Sequence, residues 1–256
     1  MRTIGVIPAR MASSRFPGKP LARICGIPMV GHVYFRSRMA KVLSEVCVAT
    51  CDTEIKEYVE SIGGKAIMTS DKHERASDRI AEATLKIEQE PGQRAEVIVM
   101  IQGDEPMVVP EMIELAVEPM RRDKGILVVN LMAPINTQEE HEDPNQVKVV
   151  VDRDNYALYF SREPIPSRKK GVTEVPRFKQ VSIIPFRRDF LLKFSRLEPT
   201  PLEKIESVDM LRVLEHGYKV KMVLTPFDSH AVDTPQDLSL VEKLMANDLL
   251  VGWYGK

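Results

Sequence analysis

The stretch TIGVIPARMASSRFPGKP, from Thr3 to Pro20, joins a short apolar segment to a long polar loop. Its first part, Thr3–Pro8, has the composition of a buried strand, and no helical pattern begins until about Met29. Connections in α/β units commonly take about 2 to 6 residues, and a much longer one is typically functional. The loop therefore predicts a ligand site directly after the first strand.

Short apolar runs alternate with amphipathic helical patterns through the first half of the chain. We predict strands at Thr3–Pro8, Glu45–Thr50, Lys65–Met68 and Val97–Ile101, and helices at Met29–Val42, Thr53–Ile62, Ser77–Ile87 and Pro110–Met120. This βαβα order is typical of a largely parallel sheet covered by helices. Ligands of such sheets bind beyond the carboxyl ends of the strands.

The second half reads differently, because its later strand candidates have no long helices between them. We predict strands at Ile126–Ala133, Val147–Asp152, Ala157–Ser161, Gln180–Arg187 and Lys219–Leu224, and helices at Arg188–Leu197, Val208–Glu215 and Pro235–Ala246. Part of the sheet is therefore expected to be antiparallel or mixed. The stretch Pro164–Lys179, rich in proline and basic residues, is predicted to be an exposed excursion. Since neither repeats nor a linker divide the sequence, we predict one domain over residues 1–256.

The charge balance limits the class of partner. The 36 basic and 37 acidic residues give a formal net charge of -1, so neither nucleic acid nor a membrane is expected as a partner. The sequence lacks the apolar run of about 18 residues that a membrane span needs, and it begins without a signal-peptide pattern. The scattered cysteines Cys25, Cys47 and Cys51 are predicted to be free thiols. We therefore expect a cytoplasmic protein.

The loop after the first strand carries the residue types that hold polyphosphate. Arg10, Arg15 and Lys19 supply cationic donors, Ser13 supplies a hydroxyl, and Gly18 lets the backbone approach a ligand closely. The alternative is a basic, solvated loop without a ligand.

Two aspartates are candidates for a metal site. Asp104, in Gln102-Gly103-Asp104, follows the strand Val97–Ile101, and Asp233 directly precedes the last helix. Mg²⁺ takes one or two carboxylates together with phosphate oxygens and water. Each aspartate has the alternative of a turn or a helix cap. Periodicity alone does not show whether the two meet.

Several motifs resemble those of the 3-deoxy-manno-octulosonate (KDO) cytidylyltransferases. They are RMASSRFPGKPL, MIQGDEPMV, DPNQVKVVVD, YALYFSREPIP, PLEKIE, LRVLEHGYK and AVDTPQDL, in this order along nearly the whole chain. The resemblance implies a nucleotidyltransferase-type three-layer αβα sandwich with a largely parallel mixed sheet and a small antiparallel extension. It also implies a homodimer that transfers CMP from CTP to KDO, releasing pyrophosphate, for lipopolysaccharide or capsule assembly.

The resemblance also implies roles for particular residues. Residues 1–125 would mainly hold CTP, and residues 126–256 would mainly hold the acceptor sugar and the dimer interface. The nucleotide would be bound by Arg10, Ser13, Arg15, Lys19, Arg79 and Gln102. Lys19, Asp104 and Asp233 would be catalytic, with Mg²⁺ on the two aspartates. The acceptor would contact Arg162, Gln180 and Asp209.

Most departures from the family pattern lie where the acceptor would bind. The segment His73–Arg79 lacks a family glycine, Gln180–Ile184 lacks a histidine and a tyrosine, and Asp209-Met210 replaces a Glu-Gln pair. Alternative acceptors therefore stay open: an amino-KDO, another acidic sugar or a phosphonate. A third possibility, from another class, is a nucleotide-binding protein without catalysis.

Overall fold

The computed structural model describes residues 1–12, 15–89, 92, 94–167, 171 and 175–255. The chain forms two compact units, one of Met1–Glu114 with Ser229–Lys256 and the other of Leu115–Asp228. The single domain predicted from the sequence, and its halves 1–125 and 126–256, stay predictions. The first unit is built from two segments that are far apart in the chain.

The first unit contains a parallel sheet of apolar strands. Its strands are β1 (Thr3–Pro8), β2 (Arg23–Ile24), β3 (Ile27–Pro28), β4 (Glu45–Thr50), β5 (Lys65–Met68) and β6 (Val97–Ile101). Four of these pair in parallel in the order β6-β1-β4-β5, and β2 pairs with β3 in an antiparallel hairpin. Every residue of β1 and β6 is buried, which explains their nearly continuous apolar sequences.

Helices follow the strands of the first unit as the sequence predicted. They are α1 (Met29–Arg38), α2 (Thr53–Ser61) and α3 (Ala76–Ile87), preceded by a 3₁₀ turn at Lys19–Leu21. Helix α4 (Pro110–Arg122) crosses the boundary between the units in sequence. Helix α1 ends at Arg38, earlier than the predicted end at Val42.

The second unit contains a mixed sheet. Its strands are β7 (Val129–Pro134), β8 (Lys148–Val151), β9 (Ala157–Ser161), β10 (Phe178–Val181), β11 (Ile183–Arg187) and β12 (Lys221–Leu224). The order is β12-β7-β10-β8-β9, in which β12 and β7 are parallel and the other pairs are antiparallel. The helices are α5 (Gln138–Glu142), α6 (Arg188–Phe194), α7 (Pro201–Glu206) and α8 (Asp209–Glu215).

The last segment returns to the first unit with α9 (Pro235–Met245) and α10 (Val251–Tyr254). A buried polar network fastens it to α1. The Tyr254 hydroxyl accepts from Arg36 Nε at 2.8 Å and lies 2.9 Å from His32 Nδ1. Since His32 Nε2 lies 2.7 Å from the Ile24 carbonyl oxygen, the ring donates there and accepts from the phenol. Arg36 also donates to Asp248 at 2.6 Å.

The α/β fold with a largely parallel sheet and an antiparallel extension is confirmed. The single strand predicted at Gln180–Arg187 is wrong, because β10 and β11 are separate strands. The prediction that Pro164–Lys179 is exposed is wrong at the carboxyl end of that stretch. Lys179 lies in β10, is 4% exposed and donates to Glu140 at 2.7 Å. Residues 168–170 and 172–174 of that excursion lie outside the described residues. No helix in the described ranges is long and apolar enough to cross a membrane.

Candidate functional site

The site lies at the carboxyl ends of β1 and β6, where ligands of parallel sheets bind. A Cβ on Gly103 would lie 2.8 Å from the carbonyl oxygen of Pro8, so a glycine lets the two strand ends approach this closely. Gln102, which is half-buried, and Asp104 flank this glycine. The predicted position of Asp104 at a strand end is confirmed.

Lys19 joins the two candidate metal ligands. Its Nζ donates to Asp104 Oδ2 at 2.8 Å, to Asp233 Oδ1 at 3.3 Å and to the Val232 carbonyl oxygen at 2.8 Å. Burial by itself lowers the pKa of Lys19, but the two carboxylates outweigh burial and the pKa is raised. The ammonium therefore stays charged. The structure thus brings together the three residues predicted to be catalytic.

Backbone and buried side chains hold the two segments of the site together. The Val232 amide donates to the Asp104 carbonyl oxygen at 2.9 Å. The Ser229 hydroxyl donates to Glu105 at 2.5 Å, and both side chains are buried. The sequence did not predict this role of Glu105, because nothing in the residues around Asp104 indicates that Ser229, far along the chain, is its partner.

Asp233 is not the residue that caps α9. The N-cap is Thr234, whose hydroxyl accepts from the Asp237 amide at 3.2 Å. The Asp237 carboxylate accepts in return from the amides of Asp233 at 3.0 Å and Thr234 at 2.8 Å. The helix cap therefore leaves the Asp233 carboxylate to Lys19 and to Arg15, whose Nη2 donates to it at 3.0 Å.

The described part of the loop after β1 is held by specific bonds. The Met11 amide donates to Asp52 Oδ2 at 2.8 Å, and the Gly18 amide donates to the Met11 carbonyl oxygen at 3.1 Å. Gly18 has a φ of 73°, a left-handed conformation that favours glycine, and it precedes the turn that carries Lys19. Ser13, predicted to bind nucleotide, lies outside the described residues.

Two more predicted nucleotide residues lie in the first unit. Arg10 Nη1 donates to the His73 carbonyl oxygen at 3.4 Å. Arg79, only 2% exposed, donates through Nη1 to Thr69 Oγ1 at 2.5 Å and to the Ser70 carbonyl oxygen at 3.3 Å. Its Nη2 is buried and has no partner among the described residues, so a donor is available there.

Glu82 organises the segment between β5 and α3, and sequence reasoning missed it. Its carboxylate accepts from the Ser70 amide at 2.9 Å, pairs with Lys86 at 2.7 Å and lies 2.5 Å from His73 Nε2. Burial tends to raise the pKa of Glu82, but the bonds from Lys86, Ser70 and His73 lower it to about 2. The spacing of Glu82 and Lys86 on one helix face was the available signal.

Arg162, predicted to bind the acceptor, is fixed by α7 within the second unit. Its amide donates to Glu206 Oε2 and its Nε to the Glu206 carbonyl oxygen, both at 2.7 Å. Its Nη1 donates to the Pro144 carbonyl oxygen at 2.8 Å. Ser161 donates to the same Glu206 carboxylate at 2.9 Å. Glu206 therefore sets the position of Arg162, which the sequence did not show.

Gln180 and Asp209, the other two residues predicted to bind the acceptor, lie in different elements of the second unit. Gln180 Nε2 donates to Asn130 Oδ1 at 2.6 Å, while the Asn130 amide group donates to the Val181 carbonyl oxygen at 2.7 Å. Asp209 is half-buried and begins α8. Binding of an acceptor by Arg162, Gln180 and Asp209 stays a prediction.

The oxygens around Lys19 suit a small, hard cation. Because one ammonium contacts both Asp104 and Asp233, both carboxylates reach a common point, and the Val232 carbonyl oxygen reaches it too. Within the described part of the chain, no group of three or more His, Cys, Asp or Glu residues is placed to hold a metal. Two carboxylates without nitrogen or sulfur ligands fit Mg²⁺, which draws further ligands from phosphate and water.

Comparisons with known proteins agree along the chain. Residues 4–222 match the model of a family described as cytidylyltransferase. A curated 3-deoxy-manno-octulosonate cytidylyltransferase of Geobacter metallireducens is 45% identical over 255 residues, covering 95% of this chain and 98% of that protein. A relative of the same name from Syntrophobacter fumaroxidans is 45% identical over 249 residues, covering 97% and 98%.

Solved structures of cytidylyltransferases also match the chain. A structure described as CMP:2-keto-3-deoxy-manno-octonic acid synthetase complexed with CTP has 39% sequence identity and a TM-score of 0.89. The match covers 97% of this chain and 100% of that one. A cytidylyltransferase from Leptospira borgpetersenii, with 17% identity and a TM-score of 0.66 over 97% and 88% of the two chains, shares the fold.

Proposed function

We propose that this chain, which belongs to the family of 3-deoxy-manno-octulosonate cytidylyltransferases, has the activity for which the family is named. It transfers CMP from CTP to the anomeric hydroxyl of KDO and releases pyrophosphate, supplying an activated sugar for lipopolysaccharide or capsule assembly. The observation that carries the proposal is the convergence of Lys19 with Asp104 and Asp233 at the sheet edge. A polyphosphate and its cation are the ligands that such a group suits.

The reaction needs positioning and neutralisation of charge more than covalent chemistry. The acceptor hydroxyl attacks the α-phosphorus of CTP while pyrophosphate leaves with increasing negative charge. Lys19 and Arg15 already lie together around Asp233, where their cationic groups would hold the phosphates and stabilise the leaving group. Arg10, Ser13, Arg79 and Gln102 would complete the nucleotide site.

Asp104 and Asp233 would hold Mg²⁺. When bound, this ion would supply positive charge that reduces the repulsion between the phosphates and the nucleophile. Asp104 is kept in place by the bond from the Val232 amide, and Asp233 by the bond of its own amide to Asp237. The backbone of both aspartates is thus held in place by other parts of the chain.

Arg162 would recognise the carboxylate of the sugar acid. Its Nε and Nη1 are used by the Glu206 and Pro144 carbonyl oxygens, and the remaining donors of its guanidinium suit a carboxylate. Gln180 and Asp209 would contact the sugar hydroxyls. The bond from Gln180 to Asn130 also favours a second candidate, a different acid as the acceptor, because it engages the amide found where the family has a histidine.

We further propose a cytoplasmic homodimer. Leu158 and Ile205 of the second unit, large apolar side chains that are 61% and 75% exposed, are candidates for the subunit interface. Sedimentation velocity at several protein concentrations tests the dimer. A monomer at every concentration would contradict it.

Release of pyrophosphate from CTP and Mg²⁺ across a panel of acids tests the function. The panel contains KDO, an amino-KDO, another acidic sugar and a phosphonate, with water as the reference. We expect KDO to give turnover far above water. If KDO does no better than water while another acid reacts, CMP transfer stands and the acceptor is wrong. If CTP binds tightly and no acid consumes it, the protein is a nucleotide-binding protein without catalysis.

A further inference from the structure

We infer that Lys19 takes the place of a metal ion in the nucleotide-free protein, so that a divalent cation binds well only after a nucleotide triphosphate draws Lys19 away. This inference rests on the proposed function and adds an order of assembly to it. The nucleotide binds before the metal or together with it, because the free site is already satisfied by a cation of the chain itself.

The N–H donors of Lys19 are all in use within the site. An ammonium group has three N–H donors and no acceptor. Lys19 Nζ makes three bonds, to Asp104 at 2.8 Å, to Val232 at 2.8 Å and to Asp233 at 3.3 Å. No donor is left for a phosphate oxygen. Lys19 must therefore release at least one of these oxygens before it binds a phosphate.

The groups that accept from Lys19 are also suitable metal ligands. The oxygens that surround the Lys19 ammonium are two carboxylates and one carbonyl, the oxygen types that Mg²⁺ takes. A metal ion on Asp104 and Asp233 would therefore enter the space in which the ammonium now lies. Two cations cannot share these oxygens without strong repulsion, since the Lys19 side chain is only 13% exposed and solvent screens the charges weakly there.

The charges of the two aspartates are already balanced by side chains of the protein. Arg15 donates to the same Asp233 oxygen at 3.0 Å, so two cations of the chain balance the two carboxylates. A triphosphate brings several negative charges that compete for Lys19 and Arg15. Once Lys19 and Arg15 bind the phosphates instead, the two carboxylates lack a cation. The affinity of Asp104 and Asp233 for a metal ion then rises. By linkage, metal then strengthens nucleotide binding by the same factor.

Binding of Mn²⁺ to the nucleotide-free protein tests the inference, with free Mn²⁺ followed by its electron paramagnetic resonance signal. We expect Lys19→Met to bind Mn²⁺ at least about tenfold more tightly than the unchanged protein, as removal of a buried like charge predicts. Lys56→Met on α2 is the matched control, because the Lys56 side chain is 40% exposed, against 13% for Lys19, and its loss changes the net charge equally. This control should leave Mn²⁺ affinity unchanged.

Three further variants test whether the gain in Mn²⁺ affinity arises at Asp104 and Asp233. Arg15→Met should give a smaller gain, because the Arg15 side chain is 51% exposed, against 13% for Lys19, and solvent screens its charge more strongly. Lys19→Arg keeps the charge and should give little gain. Adding Asp104→Asn to Lys19→Met should abolish the gain, since it removes a carboxylate from the same site.

Equal or weaker Mn²⁺ binding by folded Lys19→Met overturns the inference. Circular dichroism checks that the variant folds, and Lys19→Gln, which keeps a hydrogen-bonding end, replaces it if it does not. The measurement involves no acceptor and no turnover. Failure of the proposed function would appear instead as an absence of CTP consumption by the unchanged protein, so the two failures are distinguishable.

Discussion

Asp104 takes part in the candidate site through both its side chain and its backbone. The carboxylate accepts from Lys19, and the carbonyl oxygen accepts from the Val232 amide. We expect Asp104→Asn to preserve the fold and to lower turnover at least about a hundredfold, because it removes one charge-stabilising group without changing the shape. Pyrophosphate release with Mg²⁺ measures this.

Asp189→Asn is the matched control for that variant, since Asp189 is largely exposed in the second unit and pairs with Arg188 beside it. It should leave turnover unchanged. Near-normal turnover of Asp104→Asn with Mg²⁺ would remove Asp104 from the metal site.

Glu82 gives a prediction about acid. The fold lowers the pKa of Glu82 from an ordinary 4.5 to about 2, so its ionised form stabilises the folded state. That contribution is complete above about pH 5 and is lost as the pH falls towards about 2. The unfolding midpoint in urea should therefore be higher for the unchanged protein than for Glu82→Gln at pH 7, and the difference should shrink at pH 3. A difference that does not vary with pH would contradict this account.

Gly103 sets the spacing between the end of strand β1 and the turn after β6. We expect Gly103→Ala to destabilise the fold by about 1 to 3 kcal/mol, because its Cβ would lie 2.8 Å from the Pro8 carbonyl oxygen and the backbone must shift. Turnover should fall as well, since Asp104 is the next residue. Gly252→Ala is the control, as nothing lies within 4 Å of its Cβ and α10 accepts alanine. Thermal unfolding and pyrophosphate release check both variants.

The cap of α9 joins helix stability to the site. Asp237→Ala removes the acceptor for the Asp233 and Thr234 amides, and we expect a loss of about 1 kcal/mol together with reduced turnover. Thr137→Ala removes a cap of α5, where the Thr137 hydroxyl accepts from Glu140 at 3.1 Å. It should lower stability similarly and leave turnover unchanged. Equal turnover in both variants would show that the α9 cap does not position Asp233.

Elements with a strong local pattern were predictable from the sequence. Strands β1, β4, β5, β6 and β9 have the predicted bounds, because each is a short run of mostly apolar residues ended by polar ones. The short helices α5 and α7 were missed, since helices of so few residues depend on caps and tertiary contacts more than on their own periodicity. The break between β10 and β11 at Ser182 interrupts an apolar run that reads as one strand.

The candidate site was predictable in its residue types but not in its contacts. Strand ends and a long basic loop identified Lys19 and Asp104 as candidates. Nothing local in the sequence shows that Asp233 bonds to Lys19 or that Glu206 holds Arg162, because these partners are distant in the chain. Such pairings arise from the tertiary structure.

The polar network of Tyr254 fastens the last segment of the chain to α1. We expect Tyr254→Phe to lower the free energy of unfolding by about 1 to 3 kcal/mol, because it leaves Arg36 Nε and His32 Nδ1 buried without their partner. Trp253→Phe is the control, since Trp253 is 74% exposed, and its effect should stay within about 0.5 kcal/mol. Urea unfolding measures both, and equal losses would contradict the role of the phenol.

The division of the first unit into two segments has a consequence for synthesis. A ribosome makes Lys19 and Asp104 early, but it adds Asp233 only after the whole second unit, Leu115–Asp228, has been translated. Until then the Lys19 ammonium lacks one of its acceptors, and Asp104 lacks the second carboxylate of the site. The group of Lys19, Asp104 and Asp233 is therefore completed only when translation is nearly finished, and a chain that ends before Ser229 lacks it.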